Sequence, residues 1–217
     1  MTKVEELEPG QDPEQDAADE TPVQEAPRKR APRRARAAAA PADNGAHEAE
    51  RLEKADALAA SGAHAEAAEA YAAVVAASPD HVSALLGLGA ALFAQGKYDA
   101  AEKELRRAQK LAPDSGPVAY QLGHTLFKKG VYAAAATALR KAVELDPEDG
   151  AAHTVLGEAL NQMAESDQAL EVLETAVRLQ PDNGKAYYAM GIAYDRKGNP
   201  DRAAEMYRLS RDVAKAS

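Results

Sequence analysis

Pro79, Pro113, Pro147 and Pro181 recur every 34 residues. Glycine–alanine pairs keep the same beat at Gly62 and Ala67, Gly96 and Ala101, Gly130 and Ala135, and Gly198 and Ala203. A fixed period of this length means one supersecondary unit built repeatedly and stacked, because such a unit is too small to bury its apolar face alone. Residues 48–217 divide without remainder into five units: 48–81, 82–115, 116–149, 150–183 and 184–217.

Each unit reads as helix, short turn, helix, short turn. In the second, Leu85, Leu88, Gly89 and Leu92 recur at helical spacing, and Gly96 breaks the helix. Ala101, Leu105, Ala108 and Leu111 form a second stripe that Pro113 and Asp114 end. Neither helix is long or apolar enough to stand alone, so each stripe must pack on its neighbours.

The units resemble the tetratricopeptide repeat, whose pattern places Leu-Gly at positions 7 and 8, Gly at 15, Ala at 20 and 27, a large residue at 24 and Pro at 32. The second unit matches with Leu88, Gly89, Leu92, Gly96, Tyr98, Ala101, Leu105, Ala108 and Pro113. The third matches with Leu122, Gly123, Leu126, Gly130, Tyr132, Ala135, Leu139, Ala142 and Pro147. Leu156, Gly157, Leu160, Ala169, Leu173, Ala176 and Pro181 follow in the fourth, and Met190, Gly191, Tyr194, Gly198, Ala203 and Tyr207 in the fifth. The resemblance implies an all-α, right-handed α-solenoid of five helix-turn-helix repeats. It also implies a protein-binding adaptor or scaffold, without catalysis of its own, that takes an extended segment or helix of a partner in its concave groove.

Departures from the pattern carry expectations too. The first unit has Arg51, Lys54 and Ala55 at positions 4, 7 and 8, and reads as a polar-faced cap anchored by Tyr71. The fourth has Ala164 for the turn glycine and Ser166 for the aromatic, so residues 162–167 are expected to form a different and looser turn. The fifth lacks the proline, and its Arg211 stands where Val75, Val143 and Val177 stand in other units. That suggests a self-capped end; a homodimer hiding the end is the alternative to a monomer.

In the family, positions 2, 5, 9, 12 and 13 of each first helix face the groove. Carried over, these are Leu86, Ala90 and Phe93; Tyr120, His124 and Phe127; Thr154, Glu158 and Asn161; and Tyr188, Ile192 and Asp195. Phe93 and Phe127, the chain's two phenylalanines, both fall at position 12. With Tyr120 they read either as groove anchors or as packing between adjacent first helices. The residues at the positions of a chaperone-tail carboxylate clamp are Leu52, Asp56, Gly87, Pro117 and Gln121, and this argues against that binding mode.

Residues 1–45 differ in kind. They hold prolines at 9, 13, 22, 27, 32 and 41, no aromatic residue and almost no branched aliphatics, which predicts a disordered tail. Its charge is split: residues 1–26 carry one lysine against nine acids, whereas residues 27–42 carry Arg28, Lys29, Arg30, Arg33, Arg34 and Arg36 and no acid. Such a run can bind nucleic-acid phosphates or an anionic membrane, with the repeats (residues 46–217) as a docking or dimerisation platform. No aromatic interleaves with it, so binding would be non-specific.

The chain has no Cys, and none of its five His pairs with another at metal-ligand spacing. No HExxH, CxxC or Walker sequence occurs. No enzyme activity, metal or cofactor is expected. The first residues lack an apolar run after a basic start, so a cytoplasmic protein is expected.

Overall fold

The computed structural model describes residues 44–216, and these are all helix and turn. The tail expected to be disordered, with its basic run, lies outside the described residues. Ten helices follow in order: α1 (Asn44–Ala60), α2 (His64–Ala77), α3 (Val82–Ala94), α4 (Tyr98–Leu111), α5 (Gly116–Lys128), α6 (Tyr132–Leu145), α7 (Gly150–Gln162), α8 (Ser166–Leu179), α9 (Gly184–Arg196) and α10 (Pro200–Ala216). They form the right-handed α-solenoid of five helical repeats that the period implies. From the second unit on, the first helix starts at the first residue of the repeat and the second helix at the seventeenth.

The repeat prolines end the second helices by local sterics. Ser78, Ala112, Asp146 and Gln180 each precede a proline and leave the helix, with φ between −131° and −135°. The next first helix then needs its free N–H groups satisfied. The Asp149 side chain accepts from Ala151 N and Ala152 N, Asn183 accepts from Ala186 N, and the His81 ring accepts from Ala84 N.

All five inner turns share one geometry. The backbone N–H five residues on returns to the carbonyl of Leu58, Leu92, Leu126, Leu160 or Tyr194, each time at 3.0 Å. This corrects the expectation for the fourth unit, whose turn follows the same path as the others. Ala164 takes φ +61°, where the other units place glycines at +70° to +79°. A Cβ in that region costs roughly 1–2 kcal/mol. Ala164→Gly is therefore expected to stabilise the protein by about 1 kcal/mol, after the entropy that a glycine adds to the unfolded chain. A melting temperature that does not rise would show that the left-handed alanine carries no strain.

Helix pairs close where the residue at position 8 has no side chain. A Cβ on Gly89, Gly123 or Gly157 would lie 2.4–2.6 Å from the Cγ of Leu105, Leu139 or Leu173, the fully buried leucine of the partner helix. The first unit has Ala55 at this position. Its Tyr71 is 4 % exposed and lies against Gly87 of the next unit, while its hydroxyl donates to Asp56 at 2.5 Å. Tyr71 is thus the anchor that the sequence suggests.

Each helix touches only helices one or two places along the chain. The backbones of the first helices approach one another (α1 with α3, α3 with α5, α5 with α7, α7 with α9), whereas those of the second helices do not, and Arg140 of α6 reaches Gln168 of α8 only through side chains, at 2.8 Å. The first helices therefore form a continuous inner layer and the second helices an outer, separated one. Lys129 ties the third unit to Asp99 and Glu102 of the second, at 2.6 Å each, and Lys197 ties the fifth to Asp167 of the fourth. On α10, Arg202, Arg208, Arg211 and Asp212 are exposed, so that helix turns a polar face outward.

A groove on the inner helix layer

The inner layer opens into a cavity of about 740 Å³. α5 contributes Tyr120, His124 and Lys128 to its lining, and α7 contributes Ala151, Thr154, Val155 and Glu158. The turn before α9 and its first residues supply Asp182, Asn183, Lys185 and Tyr188, and the last turns of α10 close one end.

Five of the carried-over groove positions meet here: Tyr120, His124, Thr154, Glu158 and Tyr188. Tyr188 is 56 % exposed, the most open large apolar side chain of the described residues, and its ring leans on Tyr207 at 5.4 Å between centroids. Leu86, Phe93, Phe127 and Ile192 are half-buried and stand outside the cavity lining.

The phenylalanines have a local partner. Phe93 packs on Tyr98 at 5.5 Å and Phe127 on Tyr132 at 5.8 Å, in each case position 12 against position 17 of the same repeat. Both rings also pack against the main buried cluster. Phe93 further lies 4.5 Å from the His124 ring, and Tyr120 lies 5.8 Å from it. A run of four rings, Tyr98, Phe93, His124 and Tyr120, thus joins the second and third units.

Asn161 departs from the groove expectation. It is 2 % exposed and donates from Nδ2 to the carbonyl of Ala189 on α9 at 2.8 Å. Its Oδ1 is buried with no partner. The cause is the close approach of α7 and α9, which encloses position 12 when its side chain is short. Thr154, 4 % exposed, likewise accepts from Asn183 at 2.9 Å and forms floor, not surface.

Burial sets the electrostatics of the floor. It depresses the His124 pKa to about 4, and the nearby Lys128 and Lys185 ammonium groups act in the same direction, so the imidazole is neutral near pH 7. Burial raises the Glu158 carboxyl above its usual range, against the opposing pull of the same two lysines. The Tyr120 hydroxyl is raised by burial first, then by Asp149 and Glu158.

Lys128 and Lys185 are absent from the sequence-derived site residues, although they occupy positions 13 and 2 of their repeats, both groove-facing in the pattern. The contribution of α10 has no signal in the repeat, since a second helix belongs to the outer layer. Among the described residues no group of three or more His, Cys, Asp or Glu is placed to hold a metal ion. No described helix is long and apolar enough to cross a membrane.

Family models described as tetratricopeptide repeat match residues 58–123 and 126–178, and a second such model matches residues 162–216. The chain belongs to the tetratricopeptide repeat family. Its fold is that of protein-interaction scaffolds. A search of curated proteins finds no match. Among solved structures, a crystal structure of MamA superposes with a TM-score of 0.67 at 29 % identity, over 75 % of this chain and 95 % of that one. Another MamA structure reaches 0.69 at 28 %, over 79 % and 93 %. YrrB, described as a TPR protein with an unusual peptide-binding site, reaches 0.65 at 24 % identity, over 75 % and 84 %. At that identity the YrrB likeness concerns the fold alone.

Proposed function

We propose that this scaffold holds an extended segment of a partner protein in the groove between α5, α7 and α9. The observation that carries this reading is Tyr188, 56 % exposed in the same cavity as Tyr120. Large rings left open in a concave site are typical anchors of protein contacts, because a partner can bury them at small entropy cost. Phe93 and Phe127 serve by packing the inner turns, and Phe93 also packs on His124. Neither the cavity nor its charges suggest a reaction, so the reading is one of binding.

Affinity capture with the full chain, nuclease present, tests it. Tyr120→Ala/Tyr188→Ala is expected to lose a captured protein while melting changes by less than about 1 kcal/mol equivalent at Tyr188, a largely exposed site. Phe93→Ala/Phe127→Ala is expected to lower the melting temperature, as half-buried aromatics lose their packing. Capture that persists in the tyrosine pair would remove the groove from the function.

A further inference from the structure

The two ends of the described solenoid show faces that are covered everywhere between them. Positions 3, 7 and 10 of the first helices face the preceding unit. Ala84, Leu88 and Ala91 are buried there in the second unit, and so are their counterparts in the third, fourth and fifth. α1 carries Glu50, Lys54 and Ala57 at these positions, all exposed; Glu50 is 82 % exposed and lies 3.9 Å from the His47 ring. Position 28 of the second helices faces the following unit. Val75 packs on clusters that hold Leu85 and Leu88 of the second unit, and Val143 on one that holds Ala152, at position 3 of the fourth. α10 carries Arg211 at position 28, and it is exposed.

These uncovered faces match in sign, position by position. A second copy that continued the repeat would set its α1 on α9 and α10 as α3 sits on α1 and α2. Position 28 then meets position 3, which places Arg211 against Glu50. Leu88, at position 7, shares a buried cluster with Ala67, Ala68 and Tyr71 of the preceding unit. In the same register Lys54 falls over Ala203, Ala204 and Tyr207. The Tyr207 hydroxyl donates to Asp195 at 2.7 Å, so the ammonium group meets a ring and a carboxylate. Tyr71 lies where a side chain on Gly87 would be, whereas the Tyr207 ring folds onto Gly191 of its own unit. The joint therefore requires no glycine at position 6, where α1 has Glu53. Arg51, Glu53 and Asp212 are exposed beside these pairs. They do not reverse the balance: residues 48–81 hold seven Asp and Glu against two Lys and Arg, and residues 184–217 hold seven Lys and Arg against four Asp and Glu.

We propose that the chain associates head to tail with copies of itself, α1 of one copy seating on the α9–α10 face of the next in the register of a sixth repeat. Opposite charges at facing positions draw the two ends together, where like charges would hold them apart. The contact is heterologous, because the two faces differ, and a repeat-to-repeat step winds onward instead of closing on itself. Assembly is therefore open: each added copy leaves one head and one tail exposed. The joint lies at the ends of the coil and does not rest on the groove reading, although it lengthens the row of inner helices that forms the groove.

Static light scattering of the full-length protein at low salt reads the assembly. The mean mass is expected to rise roughly twofold or more over about a hundredfold range of concentration, and to fall back toward one chain in high salt. Glu50→Arg and Arg211→Glu each bring like charges together. Each is expected to weaken association about tenfold with unchanged melting, since both sites are exposed. The double variant Glu50→Arg/Arg211→Glu restores opposite signs and is expected to restore assembly, as is an equal mixture of the two single variants. A single-chain mass at every concentration overturns the proposal. So does a mass that stops at two chains, which marks a two-fold contact. Association untouched by both single reversals overturns it too, by placing the contact on residues 1–43, in the groove or elsewhere. A double variant that stays as dissociated as the single ones does the same, because the lost association would then not come from this pairing.

Discussion

Gly157→Ala is expected to destabilise the protein by about 2 kcal/mol, a large effect for the addition of one methyl group. The added Cβ would lie 2.4 Å from Leu173 Cγ, 2.5 Å from Cδ2 and 3.1 Å from Cδ1. Cγ is not the free end of a flexible side chain, and Leu173 is fully buried, so α7 and α8 must part to admit the methyl. Alanine gains roughly 0.5–1 kcal/mol over glycine in a helix interior, whereas overpacking a core costs typically 1–3 kcal/mol. An overlap this deep belongs at the upper end, and the difference is the net loss. For a domain of this size it corresponds to a fall of about 4–8 °C in melting temperature. An unchanged melting curve would mean that the helix pair has slack. The contrast is Gly62, Gly96 or Gly198, where a Cβ would meet nothing within 4 Å and the positive φ alone disfavours the substitution.

The second large effect is acid sensitivity through His124. Its folded pKa is about 4, below the ordinary value of 6.5 that holds in the unfolded chain. The unfolded state therefore binds the extra proton first. Stability is complete above pH 6.5 and is lost progressively as pH falls toward 4. With a discount for partial solvent exposure, the loss is on the order of 2 kcal/mol. Glu158 acts with the opposite sign. Its folded pKa is raised, so the folded state takes up that proton first, and protonation favours folding as pH falls. His124→Gln is expected to flatten the fall in melting temperature between pH 6.5 and 4, and Glu158→Gln to steepen it. If His124→Gln leaves the profile unchanged, the imidazole is not held neutral by burial.

The period made the architecture legible because every unit repeats the same local devices. The residue before each proline turns out of the helix, and the glycine at position 8 lets the pair close. Helix starts at Val82, Gly116, Gly150 and Gly184 follow directly from the division into units. Ala164 shows the limit of reading a turn from its usual residue. The pull of the flanking helices and the Leu160 carbonyl outweighs the preference of one alanine. The site was legible only as a set of positions. Position 12 follows its surroundings: Phe93 and Phe127 find Tyr98 and Tyr132 at position 17, whereas the fourth unit has Ser166 there and its Asn161 bonds to Ala189 of α9. The occupants of positions 12 and 17 were visible in the sequence, though not their pairing. The enclosure of Asn161 was not, because it depends on how closely α7 and α9 come together.

That closeness has a mechanical consequence. The backbones of the outer helices stand apart, bridged between α6 and α8 by the side-chain hydrogen bond of Arg140 to Gln168, so the coil opens or tightens mainly by sliding its inner helices. Resistance to that sliding is uneven. Between α7 and α9 the inner contact is most extensive, and Asn161 with Ala189 and Thr154 with Asn183 add hydrogen bonds across it. Between α5 and α7 the inner contact is the least extensive. The molecule is thus a spring with one stiff coil, and a load on its ends is taken up along the rest of the inner layer while the jaw formed by α7 and α9 keeps its width.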